Sequence, residues 1–223
     1  MAREKVGAEE SGLFIFGYAS LIWNPDIEYE SKCVGCIGGY VRRLHMASPD
    51  HRGTPENLGR VATICRVRHK VFSKDTLDIQ SGAAFSLWES EGMEKEESDE
   101  EELLDGEIPV VYGLVYKLAG ESANEMLEKL AVREIAGYEV AKVRVALEGG
   151  EVVDAYTYKG TRCGKYWSPE TLDRLASIVS VARGFSGRNS EYVACLINSV
   201  RALSPFRDEY LESLAGRIIS DEL

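Results

Sequence analysis

Two places in this chain of 223 residues combine residue types that could do chemistry. The first is Leu13 to Trp23, LFIFGYASLIW, where an apolar run ends at Gly17 and opens into Tyr18, Ala19, Ser20 and Leu21. Successive backbone N–H groups, one hydroxyl and one phenol in so short a span can hold a carboxylate or phosphate without a formal positive charge. An ordinary strand followed by an ordinary turn fits the local pattern too, and on that pattern alone the plainer reading is preferred. The second place is Glu134, which the sequence puts in the last turn of a helix stopped by Gly137. A carboxylate there faces the negative end of the helix macrodipole, so its charged form is disfavoured. Partial burial would push its pKa the same way, toward the range a general base needs. A solvent-exposed Glu134 paired with Arg133 or Lys129 is the plain alternative.

Other candidates weigh less. His51 sits in SPDHRGTPE, a segment dense in turn formers, and a catalytic base there is the sharper idea. Neither His45 nor His69 stands at triad or metal-ligand spacing from it, so a loop-knitting role for Asp50, His51 and Arg52 is favoured. Cys33-Val34-Gly35-Cys36 has the spacing of a zinc or redox pair. A zinc site needs a second pair, which the sequence lacks, and a redox CxxC opens a helix, whereas CVGCIGGYV reads as strand and turn. The pair is read as structural.

The elements that must position these residues follow from periodicity. Leu13 to Phe16 reads as a strand covered on both faces, because its apolar residues do not alternate with polar ones. Lys32 to Leu44 reads as a strand broken by Gly35, Gly38 and Gly39, with Arg42 and Arg43 at its end, and VATICRV after Gly59-Arg60 as another. VVYGLVYKL, Val110 to Leu118, is a core strand. Ser122 and Glu125 form a capping box for the helix that carries Glu134. Tyr138 to Leu147 and Glu151 to Tyr158 pair as a hairpin across Glu148-Gly149-Gly150. Ser168-Pro169-Glu170 reads as cap, first-turn proline and first-turn acid of a helix to Ala182. Gly184 to Ser190 is a loop, Tyr192 to Leu203 a helix, and Phe206 to Arg217 another. Strands precede helices, an α+β order.

Composition bounds the function. A 44% hydrophobic and 28% charged chain can bury a core, and no apolar stretch approaches the roughly 18 residues that cross a bilayer. The net charge is −11, but Glu89 to Glu107 alone holds eleven acids against one lysine, so the remainder is nearly neutral. Low hydrophobicity and one-sign charge predict a mobile acidic surface insertion within 73–109. No basic stripe with interleaved aromatics supports nucleic-acid binding. Five cysteines, an odd number, with a charged N-terminal stretch that lacks the apolar core of a secretory signal, predict a reducing, cytoplasmic setting.

Taken in order, GYASLIW, GYVRRLH, DHRGTPE, GRVATI, VYGLVY, VREIAGY and GFSGRNSEY resemble the ChaC-like γ-glutamylcyclotransferases, in their glutathione-specific branch. The likeness runs from Phe14 to about Leu211. It implies a single α+β domain over 13–218, after a flexible N-terminus over 1–12, built as a mixed β-barrel or sheet flanked by helices. By the same resemblance Gly17, Tyr18, Ala19, Ser20 and Leu21 match the loop that binds the γ-glutamyl group, with Ile15 and Phe16 leading in. Glu134 matches the catalytic acid-base, and Tyr166 a weaker substrate contact. Two departures stand out: Ala19 replaces the family's usual loop glycine, and Ile135 replaces a lysine common after the glutamate. A methyl at Ala19 is harmless where φ is below zero.

The activity implied is internal cyclisation of the γ-glutamyl group of glutathione to 5-oxoproline and Cys-Gly, with neither metal nor cofactor and no protein partner specified. Two rivals are a cyclotransferase for another γ-glutamyl peptide or amine and a non-catalytic binding protein that uses the acidic insertion as its contact.

Overall fold

Strand β1, Leu13–Gly17, shows why its sequence does not alternate. Ile15 packs into one apolar cluster with Tyr116, Leu118 and Tyr158, while Phe16 packs into another with Ile37, Val115 and Val145. Both faces are covered, so both faces are apolar. The computed structural model describes residues 12–69, 100–103, 108–118, 137–205 and 207–218. Within them β1 is one stave of a closed barrel in the order β1, β6, β2, β7, β8, where β2 is Ser31–Gly38, β6 Val110–Leu118, β7 Tyr138–Leu147 and β8 Val152–Gly160. Closure comes from β1 lying antiparallel to β6 and parallel to β8, with Ile15 opposite Tyr156. A closed barrel leaves no unpaired edge among its five strands.

Close approach of these strands depends on two facing glycines. Gly35 of β2 is registered with Gly113 of β6. A side chain at Gly35 would collide with Val145 Cγ1 and Val115 Cγ2, at 2.7 and 2.8 Å. One at Gly113 would run into the carbonyl oxygen of Gly17 and the ring of Phe16. The end of β1 is therefore seated directly on a bare stretch of β6.

A second sheet holds β3 (Tyr40–Ser48), β4 (Gly59–His69) and β5 (Glu100–Leu103). The single broken strand expected over Lys32 to Leu44 is thus two strands in two sheets, because Gly39, at φ +74°, turns the chain between them. Strand β5 corrects a second expectation. The acidic insertion returns four residues as an edge strand parallel to β4, with Glu100 registered on Arg66 and Glu102 on Arg68. A count of net charge within the insertion does not register backbone pairing of this kind.

Among the described residues three helices cover the core: α1 (Leu172–Val181), α2 (Asn189–Leu203) and α3 (Glu209–Ala215). Thr171, rather than Ser168, caps α1 by accepting from the Arg174 N–H at 3.4 Å. Ser168 instead accepts from Arg60. The expected loop Gly184 to Ser190 is a small hairpin, β9 (Arg183–Gly184) with β10 (Gly187–Arg188), running straight into α2 three residues earlier than predicted. Helix α3 is shorter than predicted and is capped by Asp208, which accepts from the Leu211 N–H. The predicted helix carrying Ser122, Glu125 and Glu134 lies outside the described residues, as does most of the acidic insertion.

Candidate active site

The loop after β1 is built from the inside. Leu21 is buried beneath Gly17, where an added Cβ would stand 2.6 Å from the Leu21 Cβ. Tyr116, fully buried, donates its hydroxyl to the Leu21 carbonyl at 2.5 Å. Burial, and then the neighbouring Tyr29, push the Tyr116 phenol up to about 12. It therefore remains a donor across the physiological range. Tyr18 turns inward as well: its hydroxyl donates to the Tyr158 carbonyl at 2.6 Å. The phenol that the sequence offered for ligand binding is thus spent on holding β1 to β8.

What remains is backbone and one hydroxyl. Residues Ser20–Ile22 form a single 3₁₀ turn, with the Ile22 N–H donating to Ala19 and those of Trp23 and Asn24 to Ser20. The N–H groups of Ala19, Ser20 and Leu21 find no acceptor among the described residues. A turn that leaves its first amides unsatisfied presents them to an anion or a polarised carbonyl. Ser20 is partly exposed beside them. Ala19 has φ −131°, so its methyl group costs no left-handed strain and the departure from glycine is accommodated.

Ile15 and Phe16 stand apart from this surface. Their side chains are buried at 0% and 1% exposure in the two core clusters, so toward a ligand they offer only backbone. The Phe16 carbonyl is itself taken by the Thr157 hydroxyl at 2.8 Å.

Tyr166 lies at the same end of the barrel by way of β8. Tyr158, which receives the Tyr18 hydroxyl, is two residues before Gly160, about 7 Å along a strand. Gly160 is registered with Tyr138, and the Thr161 N–H donates to the Gly137 carbonyl at 3.0 Å. A side chain at Gly137 would meet the Tyr166 ring at 3.8 Å. Tyr166 is held there because its carbonyl accepts from Ala47 of β3 at 2.8 Å. Among the described residues no hydrogen bond or ring contact joins Tyr166 directly to the Gly17–Leu21 loop. Glu134, three positions before Gly137 in the chain, lies outside the described residues.

Sequence reasoning assigned no role to Arg42, and the structure makes it central. Its guanidinium, 2% exposed, donates from Nε to the Tyr18 carbonyl at 3.1 Å and from Nη2 to the Tyr112 carbonyl at 2.7 Å. From Nη1 it donates to Asp208 Oδ2 at 2.6 Å. Burial pulls its pKa down and the Asp208 carboxylate opposes that, a pairing that keeps the buried cation charged. The available signal was the period-2 register of Arg42 with Tyr40, Leu44 and Met46, which puts an arginine, a residue rarely buried without a partner, on the apolar face of the strand.

His51 takes the loop-knitting role. Its Nδ1 is 2.9 Å from the Ser186 hydroxyl and its ring rests 4.4 Å from that of Phe185. The N–H groups of Phe185 and Ser186 donate to Asp50 and His51 carbonyls, so the DHRGTPE loop is laced to the β9–β10 hairpin. Cys33 and Cys36 stand three apart on a strand and so point to opposite faces. Burial raises the pKa of both thiols, with Glu148 and Glu151 adding to the rise at Cys33, which disfavours reactive thiolates. Among the described residues no three His, Cys, Asp or Glu side chains are grouped to hold a metal ion, and no helix is long and apolar enough to cross a membrane.

The chain as a whole is similar to known proteins. A family model described as ChaC-like protein matches residues 13–220. The glutathione-specific gamma-glutamylcyclotransferase of Saccharomyces cerevisiae is 31% identical, over 92% of this chain and 95% of its own. The human glutathione-specific gamma-glutamylcyclotransferase 1 is 27% identical over 94% of this chain and 80% of its own. A crystal structure of a gamma-glutamyl cyclotransferase specific to glutathione from yeast superposes with a TM-score of 0.71 at 30% identity, covering 96% of this chain and all of that one.

Proposed function

The chain belongs to the ChaC-like family, and from that premise we propose that it is a glutathione-specific γ-glutamylcyclotransferase acting in the cytoplasm. In this reaction the α-amine of the γ-glutamyl group attacks the γ-carbonyl carbon of the same group. A C–N bond closes the five-membered lactam, the bond to the cysteine nitrogen breaks, and 5-oxoproline and Cys-Gly separate. Nucleophile and electrophile belong to one molecule, so the protein's task is to fold the substrate into its attacking shape and to move protons from the attacking nitrogen to the departing one.

The observation that carries the reading is the loop whose interior is satisfied by Tyr116, Tyr18 and Leu21 while the amides of Ala19, Ser20 and Leu21 have no acceptor among the described residues. Those amides would hold the γ-glutamyl group with the Ser20 hydroxyl beside them. Glu134 would take a proton from the α-ammonium to free the attacking amine, and would pass the proton lost as the lactam nitrogen forms to the departing nitrogen, which leaves as an amine and takes up the other. The motif VREIAGY, in which Glu134 stands three positions before Gly137, supports its assignment. The cytoplasmic placement is supported by the five cysteines, which are all free thiols.

The test is release of 5-oxoproline by purified protein from glutathione, from other γ-glutamyl peptides and from buffer alone. Turnover confined to glutathione supports the proposal. Faster turnover of another γ-glutamyl compound reassigns the substrate, and none at all leaves a binding protein on the same fold.

A further inference from the structure

A trans peptide unit is planar, and its C=O and N–H point in opposite directions. The carbonyl of Tyr18 and the N–H of Ala19 belong to one such unit. Arg42 Nε holds that carbonyl at 3.1 Å on the interior side, so the Ala19 N–H is aimed the other way, where no described residue accepts it. We propose that Arg42 and Asp208 are positioning residues for the substrate loop: they lock the Tyr18–Ala19 peptide plane so that the Ala19 N–H faces the γ-glutamyl group. The proposal rests on the function proposed above and adds which residues make the cradle rigid.

The lock has a second anchor and a brace. Arg42 Nη2 holds the Tyr112 carbonyl at 2.7 Å, which ties the loop to β6, the strand that Gly17 sits upon. A guanidinium presents several donors in one rigid plane, so one side chain can fix two carbonyls at a set separation, which a lysine ammonium cannot. Its orientation is set in turn by α3. Asp208 spans the two, with Oδ2 on Arg42 Nη1 at 2.6 Å and Oδ1 capping the helix at Leu211 N, 3.2 Å away. Alongside, the Leu44 N–H donates to the Tyr210 hydroxyl at 3.1 Å and Arg43 lies over the Tyr210 ring at 4.7 Å. The first turn of α3 therefore grips β3 at three successive residues, 42 to 44, and the grip ends at the carbonyl of Tyr18.

Holding an amide in place helps ground state and transition state alike, so its loss appears in KM before kcat. Arg42→Lys keeps a cation for Asp208 and loses the two-carbonyl fork. Asp208→Glu keeps the carboxylate on a longer arm and serves as the conservative rescue beside Asp208→Asn. With glutathione at a temperature where every variant retains native circular dichroism, Arg42→Lys and Asp208→Asn should raise KM about five- to tenfold with kcat within about twofold. Asp208→Glu should recover part of the loss. In parallel, the backbone amide signal of Ala19, followed by NMR in the Glu134→Gln background, should shift saturably on adding glutathione and lose that response when Arg42→Lys is added. An unchanged KM in folded Arg42→Lys, or an undiminished Ala19 response, overturns the proposal. Loss of activity that merely follows loss of folded protein overturns it too, since that is a structural role. Failure of the wild-type protein to convert glutathione is a separate outcome, visible without any variant, and removes the proposed function together with this one.

Discussion

Tyr116 is the residue on which the loop's interior turns, because its hydroxyl must stay protonated to donate to Leu21. An unfolded phenol loses its proton near pH 10 and this one near 12, so the folded state holds the proton more tightly. The stability this contributes is complete below pH 10 and is lost as pH rises from 10 to about 12. Urea midpoints measured across that window should fall more steeply for the wild-type protein than for Tyr116→Phe. That variant should also be less stable by about 1–3 kcal/mol at neutral pH, because a buried carbonyl is left without its donor. Glu134→Gln belongs at this scale as well. It should abolish 5-oxoproline release while leaving circular dichroism and melting temperature essentially unchanged, since the change is isosteric. Near-normal turnover in that variant would sink the assignment.

Among elements, the seat of β1 on β6 decides where the loop begins. Gly113→Ala would drive a methyl group into the Gly17 carbonyl, which is backbone and yields only if the whole strand end moves. The expected result is a loss of about 1–3 kcal/mol in stability together with a larger loss in kcat/KM, read by chemical denaturation and steady-state kinetics on one preparation. Strand β5 makes a contrasting case, because it sits at the outer edge of the second sheet, away from the loop. Reversing its charges with Glu100→Lys and Glu102→Lys places like charges on the Arg66 and Arg68 registers. A drop of a few degrees in melting temperature is expected, from about 0.2–1 kcal/mol per pair, with kcat/KM retained.

At the scale of the whole molecule, the second sheet and the helical layer are joined by side chains that reach from one backbone to another. Asn189, fully buried, accepts from the Arg60 N–H at 2.6 Å and donates to the Arg60 carbonyl at 2.8 Å, clasping α2 to β4 as a strand partner would. Tyr192 accepts from the Ala62 N–H at 3.0 Å one turn further along the helix. His51 and Ser186 close the neighbouring loop. His51→Ala should therefore cost about 1 kcal/mol of stability and leave turnover of glutathione in place. A loss of turnover beyond the loss of folded protein would restore the catalytic reading of this histidine.

Sequence by itself determined the elements whose evidence is local and their order. The doubly buried strand at Leu13, the core strand at Val110 with the same bounds as observed, the hairpin at Glu148-Gly149-Gly150 and the late helices were legible because periodicity and turn chemistry act over a few residues. The loop at Gly17–Leu21 was legible as a candidate for the same reason. Only the tertiary structure decided which of its groups face outward, and why. Tyr18 and Leu21 turn inward because their partners, Tyr158 and Tyr116, come from strands about 140 and 95 residues away in the chain. Arg42 and Asp208 were hidden likewise: a charge is judged by what neutralises it, and here the counter-charge arrives from a distant element. Pattern reveals what a segment buries, whereas partnership across the fold decides what it leaves for a ligand.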